Sequence, residues 1–451
     1  MIRLKNLFLF LLPLLFHGCV PLEPQGGQGQ NSGNISAAVV EKELLTEDYT
    51  YEPQIKTVLL YPFTYNNNPN DVYAPPALQP AIIPLAQTNQ LLLEFDEMGT
   101  FTQSYNAKIL NCNADWTVSS LSAVQYMNDF NEFSINDRKP SFNTRIPFIH
   151  YKFLIPKIKQ SGNYLVMVYR GSNDKDLVLT KRFMVYDNVV DIVPQVKFSS
   201  ILDARNFNQQ VDFAISYPKF DIFNPLQNLK VSVRQNYRYG TALNNLKPVF
   251  IKEDERRLEY TYFDLSSNFQ GGNEFRVFDI RSALFGGFNV AKVVRDSAKA
   301  EEFLRVDRSR RNDAYGLTVD KNGRFYIQLY ETGGTDIDPD YVYVDMYLKT
   351  DKTDGKVYAF GAFTDWKLKE DFEMTYDETN KYYTCRTILK QGYYNYRYVY
   401  VPPGTSKIDE TYFEGSHNLT ENEYDIVAYY RPVGARSDLI IGYKNITYPP
   451  K

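Results

Sequence analysis

The residues able to do chemistry in this chain are few and far apart. Three histidines stand in 451 residues, and imidazole is the commonest proton-transfer group near neutral pH. Cys112 and His150 both fall in the first third of the chain and could form a nucleophile–base pair. Nothing around either supplies an evident oxyanion site, so the expected state is a small buried cysteine and a hydrogen-bonded structural histidine. His417 sits in a similar setting rich in tyrosine and asparagine. Asp336, Asp338 and Asp340 have the alternate spacing of a calcium loop, but its sixth and twelfth places hold Tyr341 and Tyr347, where that loop needs a glycine and a bidentate glutamate. A proline-containing turn that opens a strand accounts for the same residues. Glu253/Glu255 and Glu301/Glu302 lie among Lys and Arg and are expected on charged faces, not as a glycosidase pair. P-loop, HExxH, GxSxG and paired CxxC patterns are all missing. The reading is therefore a protein with no catalytic residue, no metal and no cofactor.

Composition says what must position these residues. Aromatics make up 15% of the chain, with 37 tyrosines, a balance that favours strands, where rings pack across a pleated surface. The 50 basic and 54 acidic residues leave a formal charge of −4, which is no nucleic-acid footprint. Arg3 and Lys5, an apolar run from Leu7 to Phe16, and Gly18-Cys19 have the layout of a secretory signal over residues 1–18. That run is too short to span a bilayer, which needs about 20 residues. A small residue before a cysteine at this place resembles the lipobox of bacterial lipoproteins, and the resemblance implies acylation of Cys19. Phe16 and His17 depart from the small or aliphatic residues usual there. Residues 19–50, opening with CVPLEPQGGQGQNSGN, read as a flexible tether that would hold the folded part about 25 to 30 Å from its anchor.

Beyond the tether, strand follows strand. QLLLEFDEM, YNAKILNCNADW, NYLVMVYR and KRFMVYD are separated by turn-like clusters such as SGN at 161–163, which suits a β-sandwich over residues 51–190. Leu121, Val124, Met127 and Phe130 recur at a spacing of three and predict a short helix capped by Ser119 or Ser120. QQVDFAISY, LKVSVRQNYRYG, RRLEYTYFDL and NEFRVFDI predict a second sandwich over 191–335. Arg305, Arg308, Arg310 and Arg311 at its end are interleaved with acids and read as a solvated surface segment. DYVYVDMYLKT opens a third sandwich over 336–451, and no βαβ rhythm interrupts the series. The expected fold class is all-β, with three consecutive immunoglobulin- or E-set-like sandwiches. Cys112 and Cys385 then fall in different domains and are expected to be unpaired core residues.

Two resemblances follow. Gly361, Phe363, Trp366 and Met374, then Gly392 with Tyr394, Tyr396 and Tyr398, resemble the starch- and glycogen-binding modules of the E-set class across residues 357–430. That resemblance implies a sugar contact at Trp366, with Arg397 where the family has a lysine; Trp116, the other tryptophan, lies in the first domain. A closer likeness covers nearly the whole mature chain. CNADW (112–116), SFNTRIPFIHYKFLIP (141–156), SGNYLVMVY (161–169), QNYRYG (235–240), FQGGNEFRVFD (269–279) and KQGYYNYRY (390–398) are similar to signatures of the type IX secretion system plug family. What this implies is a non-enzymatic plug, anchored through Cys19 at the periplasmic face of the outer membrane. It would dock on the giant β-barrel translocon and close its pore, with neither nucleic acid nor small-molecule substrate as partner. The alternative is a surface glycan-binding lipoprotein.

Overall fold

Alternation of apolar and polar residues builds the strands, and the computed structural model describes them over residues 41–63, 78–86 and 90–449. The signal, Cys19 and the tether up to residue 40 lie outside the described residues. The first sandwich pairs two sheets. One runs in the order Tyr49–Thr50, Leu177–Tyr186, Gly162–Arg170, Tyr105–Cys112, Phe133–Ile135, and the other Ile55–Phe63, Gln90–Met98, Phe148–Leu154, Asp137–Pro140. Leu91, Leu93 and Phe95 from the second sheet meet Ile109, Val166, Val168 and Phe183 from the first. Each fully buried Leu or Phe in such a core contributes roughly 1.5–3 kcal/mol.

The chain does not divide where its text suggests. The middle core is closed by a sheet in the order Leu243–Leu246, Leu229–Gln235, Asn422–Tyr430, Leu439–Tyr448, with Val231 opposite Ala428 and Val233 opposite Ile426. The last thirty or so residues therefore complete the middle sandwich, not the third. Conversely, Arg276–Asp279, Val290–Arg295, Ala300–Leu304 and Phe325–Ile327 join a ten-stranded sheet with Tyr341–Lys349, Tyr382–Lys390 and Gly392–Val401. Val342 and Val344 share a core with Tyr394, Tyr396 and Tyr398 from a non-neighbouring strand, so this sheet folds over on itself. The expected boundaries at 335/336 and 451 thus differ from the observed pairing, because a strand's hydrogen-bonding edge is generic and its alternation marks faces, not partners.

Other local expectations shift for similar reasons. Residues 41–50, expected as the end of the tether, lie against the first sandwich: Tyr49 and Thr50 pair with Thr180 and Leu179, and Lys42 bonds Glu52 and Asp176. The short helix is a single turn, Ala123–Tyr126, begun by Ser122, whose N–H and hydroxyl both reach Gln125 Oε1. Met127 is buried, whereas Val124 and Phe130 are exposed, so the spacing of three overstated the helix. In the arginine-rich segment after Glu301, Arg305, Arg308 and Arg311 are exposed as expected, while Asp307–Arg308 pair with the third sheet and Arg310 bonds Glu414 at 2.6 Å. No helix among the described residues is long and apolar enough to cross a membrane.

Glu302 departs furthest from expectation. Glu301 does sit in a charged setting, bonded to Lys299 and Arg386, but Glu302 faces the third core with 0% exposure and neither carboxylate oxygen has a partner. Burial, with Asp279 nearby, pushes its carboxyl up to about 8. The folded state then holds a proton that the unfolded chain releases near pH 4.5, so stability falls by up to ~1.4 kcal/mol per pH unit between about 4.5 and 8. Glu302→Gln is expected to flatten that part of the profile in thermal melts taken from pH 5 to 8. A chain ended at residue 421 is expected to lose the middle sandwich, read as rapid proteolysis between residues 191 and 270.

Candidate functional site

Gln90–Met98 is buried on both faces. Its inward face carries Leu91, Leu93 and Phe95 with Glu97 at the end, held by Tyr151 O–H, and its other face, which carries Glu94 and Asp96, is buried as well. Register sets Glu94 opposite Lys152 and Asp96 opposite His150, and the third sandwich covers all four. Asp96 accepts from His150 Nδ1 at 2.6 Å, Tyr341 O–H at 2.8 Å and Lys390 Nζ at 2.7 Å. Lys390, 1% exposed, also bonds the carbonyl of Asp336 and lies 4.1 Å from the centre of the Phe148 ring. Lys152 bridges Glu94 and Asp336 at 3.2 and 3.0 Å. Burial would raise Asp336, but the Lys152 ammonium outweighs it and holds the carboxyl at about 2. Burial likewise opposes charging of His150, and its bonds to Asp96 and Glu94 overcome this and raise its pKa.

The segments around this network fix its geometry. Thr57, a β-branched residue at φ +52° beside a bulge, places its hydroxyl 2.6 Å from the Tyr341 hydroxyl; such a residue takes this conformation only where its surroundings compel it. Asp340 accepts from the backbone N–H of Arg145 and Ile146 at 2.8 and 3.1 Å. Asp336 and Asp340 are thus used within the protein, and among the described residues no group of three or more His, Cys, Asp or Glu could hold a metal ion.

A second contact joins the first and middle sandwiches. Arg182 lies between Trp116 and Tyr239, 4.5 and 4.8 Å from their ring centres. Asp438 accepts from Ala114 N–H, and Tyr429 O–H from the middle sheet reaches Asn163. Cys112 belongs to the apolar cluster here, and burial pushes its thiol up to about 12. It lies on the opposite sheet of the sandwich from His150, so the structure does not bring that pair together. Cys385 is also buried and free.

The third contact lies between the middle and third sandwiches. Glu410 takes Arg238 of the middle sandwich and Arg397 of the third, while Glu414 takes Arg276 and Arg310 within the third. Gly271 is required for a close approach: a Cβ there would stand 2.0 Å from the carbonyl oxygen of His417. The residues expected to meet a sugar are committed to these contacts. Arg397 is 6% exposed, bonds Glu410 at 2.9 Å and stacks 3.8 Å over Phe275. Trp366 packs edge-on against Phe275 and Phe360, with Arg238 4.2 Å from its ring centre. Beside it, Asp365 binds Lys181 of the first sandwich at 2.8 Å. A glucose ring needs an open aromatic face and a free donor, and the half-buried Trp366 and buried Arg397 do not make that pair.

What this arrangement does chemically is hold three cores together through buried ion pairs. Removing one member of such a pair leaves an uncompensated charge and costs roughly 3–5 kcal/mol. Urea unfolding of Lys390→Met and of Asp96→Asn is expected to show losses of that order. The double variant should lose less than the two losses added, because each change removes the charge the other would strand.

These contacts also locate the sequence signatures. HY and KQG meet at Asp96, CNADW and QNYRYG meet at Arg182, QNYRYG meets GYYNYRY at Glu410, and GGNEFR meets GYYNYRY at Glu414. Composition alone could not have nominated Asp96 or Glu414; the one usable signal was an acid inside an otherwise apolar strand. Residues 55–187 match the model of the type 9 secretion system plug protein 1st domain. A crystal structure of a hypothetical protein from Parabacteroides merdae superposes with a TM-score of 0.82 and is 32% identical, over 90% of this chain and 100% of that one. No curated protein is significantly similar to the chain. The matched family is one of secretion plugs and not an enzyme family. With its first domain matched at 55–187 and that identity running the full length of the solved relative, the chain belongs to the type 9 secretion system plug protein family.

Proposed function

We propose that this chain docks on the outer-membrane β-barrel translocon of type IX secretion and occludes its pore from the periplasmic side when no substrate is passing. The observation that carries the reading is the joining of the three cores by buried charges: the described residues from 41 onward belong to one compact unit, tied at Asp96, Glu410 and Asp365. A stopper works by excluded volume and must resist deformation, which a body locked at each internal contact does. Cys112 and His150 lie on opposite sheets of the first sandwich and form no nucleophile–base pair. Acylation of Cys19, with the tether after it, would keep the plug beside the barrel at high effective concentration, so an interface of about 1,200–2,000 Å² could hold it reversibly.

Tagged native protein, purified from its own host in mild detergent, is expected to bring down a giant outer-membrane barrel identified by mass spectrometry. Recovery of the protein alone, repeatedly and after crosslinking, would refute docking. Cys19→Ser is expected to move the protein from the membrane fraction to the soluble one. A Trp366→Ala protein and its parent should pass a glucan column alike; retention of the parent would favour the glycan-binding alternative.

A further inference from the structure

Between the middle and third sandwiches lies a cavity of about 240 Å³, lined by Gln235, Arg238, Thr241, Asn268, Gly272 and Arg397 among others. Three signature segments, QNYRYG, FQGGNEFR and GYYNYRY, supply its walls. Two features there are unexplained by folding alone. The first is charge: Arg238 and Arg397, 5% and 6% exposed, share the single carboxylate of Glu410. The neighbouring Glu414 is occupied by Arg276 and Arg310, and Asp307 by Arg276. Asp320, which feels Arg397 at longer range, is held by the backbone N–H groups of Phe275 and Asn322. The second is unsatisfied polarity. The donors Nε of Arg238 and Nε of Arg397 and the hydroxyl of Thr241 are buried without a hydrogen-bond partner, and all three residues line the cavity beside Glu410.

Buried donors without partners are rare in native proteins, and charged ones cost most. Two guanidiniums that share one acid can still accept a second acid through their remaining N–H groups, the planar geometry for which arginine is suited. We propose that this cavity is a binding site for a carboxylate, held by Arg238, Arg397 and the Thr241 hydroxyl. The carboxylate is that of a small organic acid or the one that ends a peptide chain. The site is independent of the plug reading, since it rests on the charge and polarity of the cavity and not on docking.

Thermal melts and calorimetry on the full chain test it. The probes are sodium acetate, and acetyl-alanyl-alanine with its terminal carboxylate free or amidated; sodium chloride at matched ionic strength is the control. A saturable rise in Tm of roughly 1 to 3 °C with acetate at about ten times its Kd, absent with chloride, supports the site. A heat with the free peptide but not its amide assigns the chain-terminal source, and a heat with acetate alone assigns the small acid. Because Arg238 also packs on Trp366, the decisive variant is Thr241→Asp, which places a carboxylate in the cavity from within. It is expected to melt higher than the parent and to lose the acetate response. Equal shifts from acetate and chloride, or an acetate response kept intact in Thr241→Asp, would overturn the proposal.

Discussion

The structure depends on one carboxylate kept out of water. Asp96 is fully buried on the outer face of a strand whose inner face already serves the first core. A lone carboxylate there would be protonated or would force the sheet open. It is retained because Lys390 and Tyr341, roughly 250 to 300 residues away in the chain, arrive with His150 to complete its hydrogen bonds. That sheet of the first sandwich therefore stays covered only while the third sandwich is seated, and the two sandwiches fold as parts of one body. Such an arrangement adds little net stability over an apolar contact. What it adds is a fixed relative placement, since a displaced Lys390 would leave two buried charges alone.

The other contacts repeat this logic with different chemistry. Arg182, packed against the rings of Trp116 and Tyr239, which also touch each other edge to face, joins the first and middle cores. Glu410 joins the middle and third by taking Arg238 of one and Arg397 of the other. The path of the chain reinforces them, because it leaves the middle sandwich before Arg276, builds the third, and returns at Asn422 to finish the middle, so the third is an insertion joined to the middle by two chain crossings. A turn resembling that of a sugar-binding module has here been turned to the same purpose, with Trp366 under Arg238 and Asp365 on Lys181.

A body of this kind suits a task done by shape. Its polar groups of greatest chemical interest lie inside, matched to one another, and the exception is the cavity at Arg238 and Arg397, where two cations share one acid. The seam that holds the middle and third sandwiches is thus also the place where a small anion could alter their attachment.

The sequence by itself determined which segments are strands, since period-two alternation in QLLLEFDEM or the tyrosine run after Gly392 marks faces whatever the partner. It also determined that no catalytic constellation was present in one stretch, and through short signatures it pointed to the family. Glu302 shows where such reading stops: beside Glu301 it looks like half of a charged face, yet one residue's step along a strand sends it into the core. Tertiary structure alone decided that Asn422–Tyr448 closes the middle sheet, that the acidic face of Gln90–Met98 is buried, and that Arg397 pairs with Glu410. The reason is physical. Backbone edges are alike in every strand, and a buried charge is permitted or forbidden by partners hundreds of residues away, so neither property is written in the local pattern.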